Sequence, residues 1–192
     1  AKRVFEDDKT ISLIDITPVI KGHCTYMVKE HYPLPAYMPG NEFNHKFSLV
    51  PGLTKAIKKS TVKTGMNIFI AMGGAAEQQS PHFLLHFLPR EIGDSFFNFM
   101  FKGKPENILE DKSQQMLANN LPIMMTNHFK RHPNQWHIGV GDVPKYLEKI
   151  YNSSKIIYED EKVLCVLAQN SITKGHLVIY SKTEEKYLEN LS

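Results

Sequence analysis

Three alternate residues near the middle of the chain, His82, Leu84 and His86, form its clearest chemical pattern. Pro81 and Pro89 bracket seven residues, which is too short for a stable helix and typical of a strand. Because side chains alternate between the faces of a strand, the two histidines and the leucine share one face. We therefore predict a strand that offers two imidazoles to a site and turns three apolar residues to the core, namely Phe83, Leu85 and Phe87.

Histidines four residues apart raise the question of a metal site, because on a helix they share one face. On a strand the same spacing separates His82 from His86 by roughly 13 Å, at about 3.3 Å per residue, which is too far for one ion. His128 and His132 have the helical spacing, but they precede Pro133, where imidazoles cap the end of a helix. We predict no metal and no cofactor.

The elements that must position the histidine strand belong to an internal repeat. Residues 5–9 (FEDDK) recur as residues 158–162 (YEDEK), and residues 21–23 (KGH) recur as residues 174–176, both at an offset of 153, which is 158 − 5 and 174 − 21. Each copy predicts two antiparallel strands joined by a turn. The predicted strands are residues 11–14, 24–28, 66–72 and 83–88 in the first copy and residues 163–167 and 177–180 in the second, with a basic helix at residues 53–63.

The domain boundaries follow from this repeat. An α+β domain at residues 1–103, with an antiparallel sheet of about five strands and helices on one side, leads through a helical connector at 104–153 into a partial second copy at 154–192. In the connector, Pro122 should kink or split a helix, and Asp142 should cap a short one. A complete second copy would reach about residue 243, which is 90 + 153, so we expect either a sequence cut inside its second domain or a partial copy.

Composition excludes several classes of protein. The net charge is +3, from 23 basic and 20 acidic residues, too small an excess for a dedicated DNA or RNA binder. No apolar run reaches the roughly 18 residues that a membrane helix needs, and the charged first eight residues do not resemble a secretion signal. Cys24 and Cys165 lack metal-type spacing, which favours a reducing, cytoplasmic location.

Taken in order, these segments resemble the histidine-triad (HIT) family over residues 4–90, and again over residues 157–182. The resemblance implies that three alternate histidines on one strand meet the α-phosphate of a nucleotide. In the family the middle histidine attacks phosphorus, and the nucleotidyl-histidine is then hydrolysed or transferred. A nucleophile needs a lone pair, and Leu84 has none. The segments that carry the resemblance are residues 5–9, 15–18, 21–23, 29–32, 67–68, 73–78 and 81–90.

The resemblance also implies roles for other residues. His82 and His86 would hold the phosphate, Asp15 would accept the ribose hydroxyls, and apolar residues would wall the base. Ala71 stands where the family usually has an Asn, and Gln79 where it has a Ser, so the resemblance assigns no catalytic residue. The expected nucleotide-binding residues are Phe5, Ile14, Asp15, Ile16, Gln78, Gln79, His82 and His86.

Three functions remain open. The first is a binder of a purine nucleotide such as AMP or GMP, impaired in nucleotidyl transfer and paired as a homodimer or as an intrachain pseudo-dimer of the two copies. The second is an active hydrolase or transferase of phosphoramidates or dinucleoside polyphosphates, with its nucleophile in an absent part of the second copy. The third is a structural or RNA-associated protein that uses the basic helix face of Lys55, Lys58, Lys59 and Lys63.

Overall fold

The computed structural model describes residues 2–94, 105–131 and 140–190, apart from the side chains of residues 128 and 129. Two compact units are present: residues 1–97 with 187–192, and residues 98–186. The predicted pair of His128 and His132 lies outside the described side chains. Within the described residues, no helix combines the length and the apolar character needed to span a membrane.

The first unit contains a five-stranded antiparallel sheet in the order β1-β2-β3-β5-β4, which confirms the predicted fold class. Asp7 closes the turn between the first two strands, because its Oδ1 accepts the N–H groups of Lys9 and Thr10. The strands are β1 (Arg3–Glu6), β2 (Thr10–Ile14), β3 (Cys24–Val28), β4 (Gly65–Phe69) and β5 (Leu85–Arg90).

Two helices cover one face of this sheet, α1 (Gly40–Ser48) and α2 (Val50–Thr61). The sequence analysis missed α1 and placed the start of α2 three residues too late. Pro51 suits the first turn of a helix, where its missing N–H has no partner to lose. Val62 ends α2 in the left-handed conformation, with φ of 55°. The core between helices and sheet includes Tyr26, Val28, Leu53, Ile57, Phe83, Leu85 and Phe87.

Strand β5 begins two residues later than predicted, for a reason that lies in its backbone hydrogen bonds. The N–H of Phe83 donates to the carbonyl of Tyr32 at 2.7 Å, and the carbonyl of Phe83 accepts from Lys46 Nζ at 3.0 Å. Phe83 is therefore held outside the ladder. At its other end β5 runs on through Pro89, which pairs with Met66 of β4 beyond the last pair that β5 makes with β3.

The second unit contains a three-stranded antiparallel sheet of β6 (Ile156–Glu159), β7 (Val163–Leu167) and β8 (Leu177–Ser181), with α3 (Asp111–Arg131) and α4 (Glu148–Ser153). The predicted split at Pro122 is wrong, because α3 runs through this residue without a break. Asp142 is not an N-cap, since α4 follows directly on a 3-10 turn at Lys145–Leu147.

The two sheets repeat each other in detail. Strands β6, β7 and β8 begin and end 153 residues after β1, β2 and β3, as 156 − 3, 163 − 10 and 177 − 24 show. The register is also shared: Arg3 pairs with Leu13 and Ile156 with Val166, and an irregularity follows each of these pairs at the same place. The sequence repeat is thus a repeat of three-dimensional structure.

Candidate functional site

A pocket of about 410 Å³ lies in the first unit, on the face of the sheet opposite to α1 and α2. Residues 84, 86 and 88 line it, whereas the alternate residues Phe83, Leu85 and Phe87 are buried in the core against the helices. This is the alternation that the sequence predicts. The other lining residues include Asp15, Ile16, Val19, His23, Phe69, Ala71, Gln78, Gln79 and His82.

Leu84 therefore faces the pocket rather than the hydrophobic interior. It lies between the pocket-lining residues His82 and His86, on the segment that runs directly into β5. Its side chain is half-buried and carries no donor or acceptor. The centre of the three-residue pattern can contribute shape and exclude water, but it cannot attack phosphorus or move a proton.

His86 is held by a relay of hydrogen bonds that starts in the β2–β3 loop. The N–H of Val19 donates to Nδ1 of His23 at 3.4 Å, which leaves the proton of a neutral His23 ring on Nε2. That Nε2 lies 3.0 Å from Nδ1 of His86 and donates to it, so the remaining proton of His86 sits on Nε2. Burial lowers the pKa of both His23 and His86 and keeps both rings neutral near pH 7.

The same relay decides between a hydrogen-bonded cluster and a metal site. Ligand atoms of Asp15, His23 and His86 converge, with Nε2 of His23 at 3.7 Å from Oδ2 of Asp15. A metal ion on Nε2 of His23 would require the ring proton on Nδ1, where it would meet the N–H of Val19. The tautomer therefore favours the relay. The sequence identifies His23 only as part of the repeated residues 21–23, and its partner His86 is visible only in the fold.

His82 is less well held than His86. Its Nδ1 is buried and has no hydrogen-bond partner within the described residues, although its backbone N–H donates to Ser80 Oγ at 3.1 Å. Ala71, at the position where the resemblance expects an Asn, lines the same pocket and offers no polar side chain. The ring of His31 lies edge-on to His82, with centroids 4.9 Å apart. Burial, and then electrostatic interaction with His31 and Lys46, lower the pKa of His82.

Asp15 reaches the pocket with one of its two carboxylate oxygens. Oδ1 accepts the backbone N–H of Thr17 at 2.8 Å and its hydroxyl at 3.2 Å, which fixes the loop after β2. Oδ2 is left on the side of His23 and the pocket. Ile16, the next residue, lines the pocket but is largely exposed. The loop thus presents a carboxylate oxygen and an apolar side chain side by side.

The structure does not bring Phe5 and Ile14 into this pocket. Both line a second cavity of about 480 Å³ on the helix side of the sheet. The reason is strand alternation, since Ile14 pairs with Cys24 and shares the face that packs on α2. Gln78 lines the first pocket, but its side-chain amide holds the loop through hydrogen bonds with Gly73 N–H and the carbonyls of Pro33 and Ser80. Gln79 lines it and is exposed.

Comparison with known proteins places this geometry in a family. The HIT domain matches residues 1–93. Over 92 residues the chain is 32% identical to adenylylsulfatase HINT3 of Arabidopsis thaliana. The aligned region covers 48% of this chain and 47% of that protein, so the chain spans about half the length of this relative. A HIT-like protein of Methanocaldococcus jannaschii is 34% identical over 94 residues, or 49% of this chain and 72% of its own.

Similarity to further HIT proteins extends to three-dimensional structure. Protein hit of Bacillus subtilis is 30% identical over 111 residues, 55% of this chain and 77% of its own. The crystal structure of a HIT family protein from Bacillus anthracis superimposes with a TM-score of 0.56 at 28% identity, covering 64% of this chain and 86% of that one. The match of family, sequence and fold leads to one conclusion: this chain belongs to the histidine-triad family.

Proposed function

We propose that the first unit binds a purine nucleotide, AMP or GMP, and has little or no nucleotidyl-transfer activity. Membership of a family of nucleotide-binding proteins and hydrolases supports the first half of this proposal. The observation that carries the second half is the position of Leu84, which faces the pocket between two histidines.

The phosphate would lie against His86 and His82. The relay through His23 leaves Nε2–H of His86 as a donor, and a neutral donor can hold a phosphate oxygen without losing its own proton. The ribose would lie at Asp15, whose Oδ2 is not used by the loop. Ile16 and Val19, next to this carboxylate, would contact the base.

Calorimetry with AMP and GMP tests the binding role. We expect dissociation constants below the millimolar range, weakened at least tenfold by Asp15→Asn, because a charged acceptor contributes about 1.5–3 kcal/mol to a hydrogen bond. Glu77→Gln, an exposed carboxylate at the pocket rim, is the matched control and should bind normally. No heat and no competition at millimolar nucleotide would refute the proposal.

Hydrolysis of adenosine 5′-phosphoramidate tests the impairment. The unmodified chain should release no AMP above background. Leu84→His restores the missing nitrogen and should produce turnover, because His86 remains held by its relay. Leu84→Gln adds polarity without a nucleophile and should stay inactive. Turnover by the unmodified chain would show that the first unit does not need a histidine at position 84.

A second candidate, an enzyme with tandem HIT domains and its nucleophile in the second copy, is favoured by the identical strand registers. Ala168 aligns with Asp15, so the ribose contact would have to differ. The test is to sequence the gene beyond the codon for Ser192 and look for His-x-His-x-His near residue 235, which is 82 + 153. Its presence would favour this candidate; a stop codon would remove it.

The homodimer, or an intrachain pair of HIT copies, stays a prediction that light scattering can test. The cytoplasmic location also stays a prediction. The basic helix supports the RNA-associated alternative less than its sequence suggests, because Lys63 lies beyond the end of α2 and two of the four lysines are paired with acidic residues. Lys58 binds Glu189, and Lys63 binds Glu91.

A further inference from the structure

Lys46 is a buried amine that the proposed nucleotide site does not explain. It lies on α1 beneath the sheet, with 0% of the residue exposed. Its Nζ donates to the carbonyl of Phe83 at 3.0 Å and lies 4.1 Å from the centroid of the Phe83 ring and 5.7 Å from that of Tyr26. An ammonium group has three donors, and a single neutral carbonyl is a poor replacement for its hydration shell.

No carboxylate compensates this amine within the described residues, since none of their ion pairs includes Lys46. The groups that face it are neutral or cationic. From β3 comes Tyr26, whose pKa burial raises to about 12, and from the segment before β5 comes His82. Asp7 at the β1–β2 turn is bound by His45 and by Thr10. When Lys46 is protonated, none of these residues provides its counter-charge.

The pocket lies on the other side of the backbone segment that Lys46 holds. Phe83, whose carbonyl Lys46 binds, stands between His82 and Leu84, and both of these line the pocket. A phosphate against His82 would be roughly 10 Å from Nζ, two to three residue spacings away. Because Lys46 and Phe83 are both buried, the two charges would interact with an effective dielectric constant of about 20.

We propose that Lys46 is the counter-charge of the nucleotide phosphate, so that binding of an anion in the pocket draws a proton from solvent onto this buried amine. The inference rests on the proposed function and adds to it a proton linkage. Its direction follows from the same burial, which lowers the pKa of Lys46 to about 7 and leaves the amine about half protonated at neutral pH. A neighbouring anion favours the charged form and raises this pKa.

The expected size follows from the separation. A unit charge at roughly 10 Å with an effective dielectric constant of about 20 corresponds to a coupling of about tenfold, or about one pKa unit. A shift from about 7 to about 8 implies uptake of about 0.5 proton per nucleotide at pH 7.5. Affinity should fall about tenfold between pH 6 and pH 9.

Calorimetry with adenosine 5′-sulfate measures this uptake. The sulfate monoester keeps one negative charge from pH 6 to pH 9, whereas the phosphate of AMP itself titrates near pH 6. Binding heats at pH 7.5 in buffers of different ionisation enthalpy give the number of protons taken up. We expect about 0.5 proton for the unmodified chain and for Lys59→Met, which removes an exposed lysine. Lys46→Met should take up about 0.5 proton fewer than the unmodified chain and should bind about tenfold more weakly at pH 6.

Direct titration of the Lys46 side chain by carbon NMR of Cε gives a second measurement, which needs no variant. Its apparent pKa should rise by about one unit when adenosine 5′-sulfate is added. Binding without proton uptake and without this rise would overturn the role of Lys46 and leave the nucleotide site intact. Failure of AMP and of the sulfate ester to bind at all would overturn both proposals.

Discussion

Replacement of Lys46 by Met should change how the stability of the first unit depends on pH. An unfolded lysine has a pKa of about 10.5, and burial lowers that of Lys46 to about 7 in the folded chain. Between these two values the folded state binds fewer protons than the unfolded state, so stability rises as the pH rises through this window. Below pH 7 the folded chain bears the full cost of a buried charge.

The magnitude can be worked out from the two pKa values. From pH 6 to pH 9 the difference in bound protons integrates to about two pH units, which corresponds to roughly 2–3 kcal/mol gained by the unmodified chain. The free energy of unfolding of Lys46→Met does not include this rise with pH, because Met has no titratable group. Met leaves the carbonyl of Phe83 without its donor, a cost of about 1 kcal/mol or more that is the same at both pH values and so does not affect the comparison.

Urea unfolding at pH 6 and pH 9 provides the assay. The methyl NMR signals of Val28 and Leu85, which are buried in the core of the first unit, report the unfolding. The difference in unfolding free energy between Lys46→Met and the unmodified chain should shrink by roughly 2–3 kcal/mol from pH 6 to pH 9. Lys59→Met, an exposed control, should follow the unmodified chain. A difference that stays constant within about 0.5 kcal/mol would refute the premise that Lys46 is buried without a counter-charge.

Three further results are expected. Gly22→Ala should lower the free energy of unfolding in urea by roughly 2–3 kcal/mol, and Gly175→Ala by about 1 kcal/mol. Both glycines have positive φ, but only at Gly22 would a Cβ meet another side chain, Thr61 at 2.6 Å, so equal costs would contradict the geometry. The 2′,3′-dideoxy form of AMP should bind at least tenfold more weakly than AMP, and Asp15→Asn should largely abolish this preference; retention of the preference would place the ribose elsewhere. Cys24 and Cys165 should resist iodoacetamide at pH 8 until urea unfolds the chain, because both are buried and burial raises the pKa of both thiols; fast labelling without urea would contradict their placement.

The sheet and the histidine face could be predicted because their causes are local. Alternation along residues 82–88 fixes which side chains share a face, and the repeat identifies the shared turns. The start of β5 could not be predicted, because the bonds that hold Phe83 outside the ladder come from Tyr32 and Lys46, far away in sequence. Helix α1 was missed for a related reason: its one fully buried side chain is Lys46, which a hydrophobic pattern counts as polar.

The placement of Phe5 and Ile14 failed at a finer level. Strand alternation places Ile14, the last residue of β2, on the helix side of the sheet, whereas Asp15 and Ile16 follow in the loop after the strand. The sequence predicts a site around Asp15 but does not decide the face on which each apolar residue lies. Pairing with Cys24 decides it for Ile14. Likewise, Gln78 has a binding residue's position, but its amide is already used by three loop hydrogen bonds.

The two copies of the three-stranded sheet separate residues needed for the fold from residues available for chemistry. Asp7 and Asp160 accept the same pair of turn N–H groups, and Nδ1 of both His23 and His176 accepts a loop N–H four residues earlier. These residues form hydrogen bonds with the loop backbone in both copies, so their presence alone does not argue for catalysis.

Asp15 is different, because the second copy forms the same strand without it. Ala168 takes its place, and the backbone N–H of each residue still donates to the carbonyl of the following Gly-His step at 3.0 Å. The strand end therefore does not require a carboxylate, and Oδ2 of Asp15, on the pocket side, accepts no backbone hydrogen bond of the loop. By this comparison Asp15, rather than the repeated histidine, is the residue of the β2–β3 loop whose loss should affect binding more than folding.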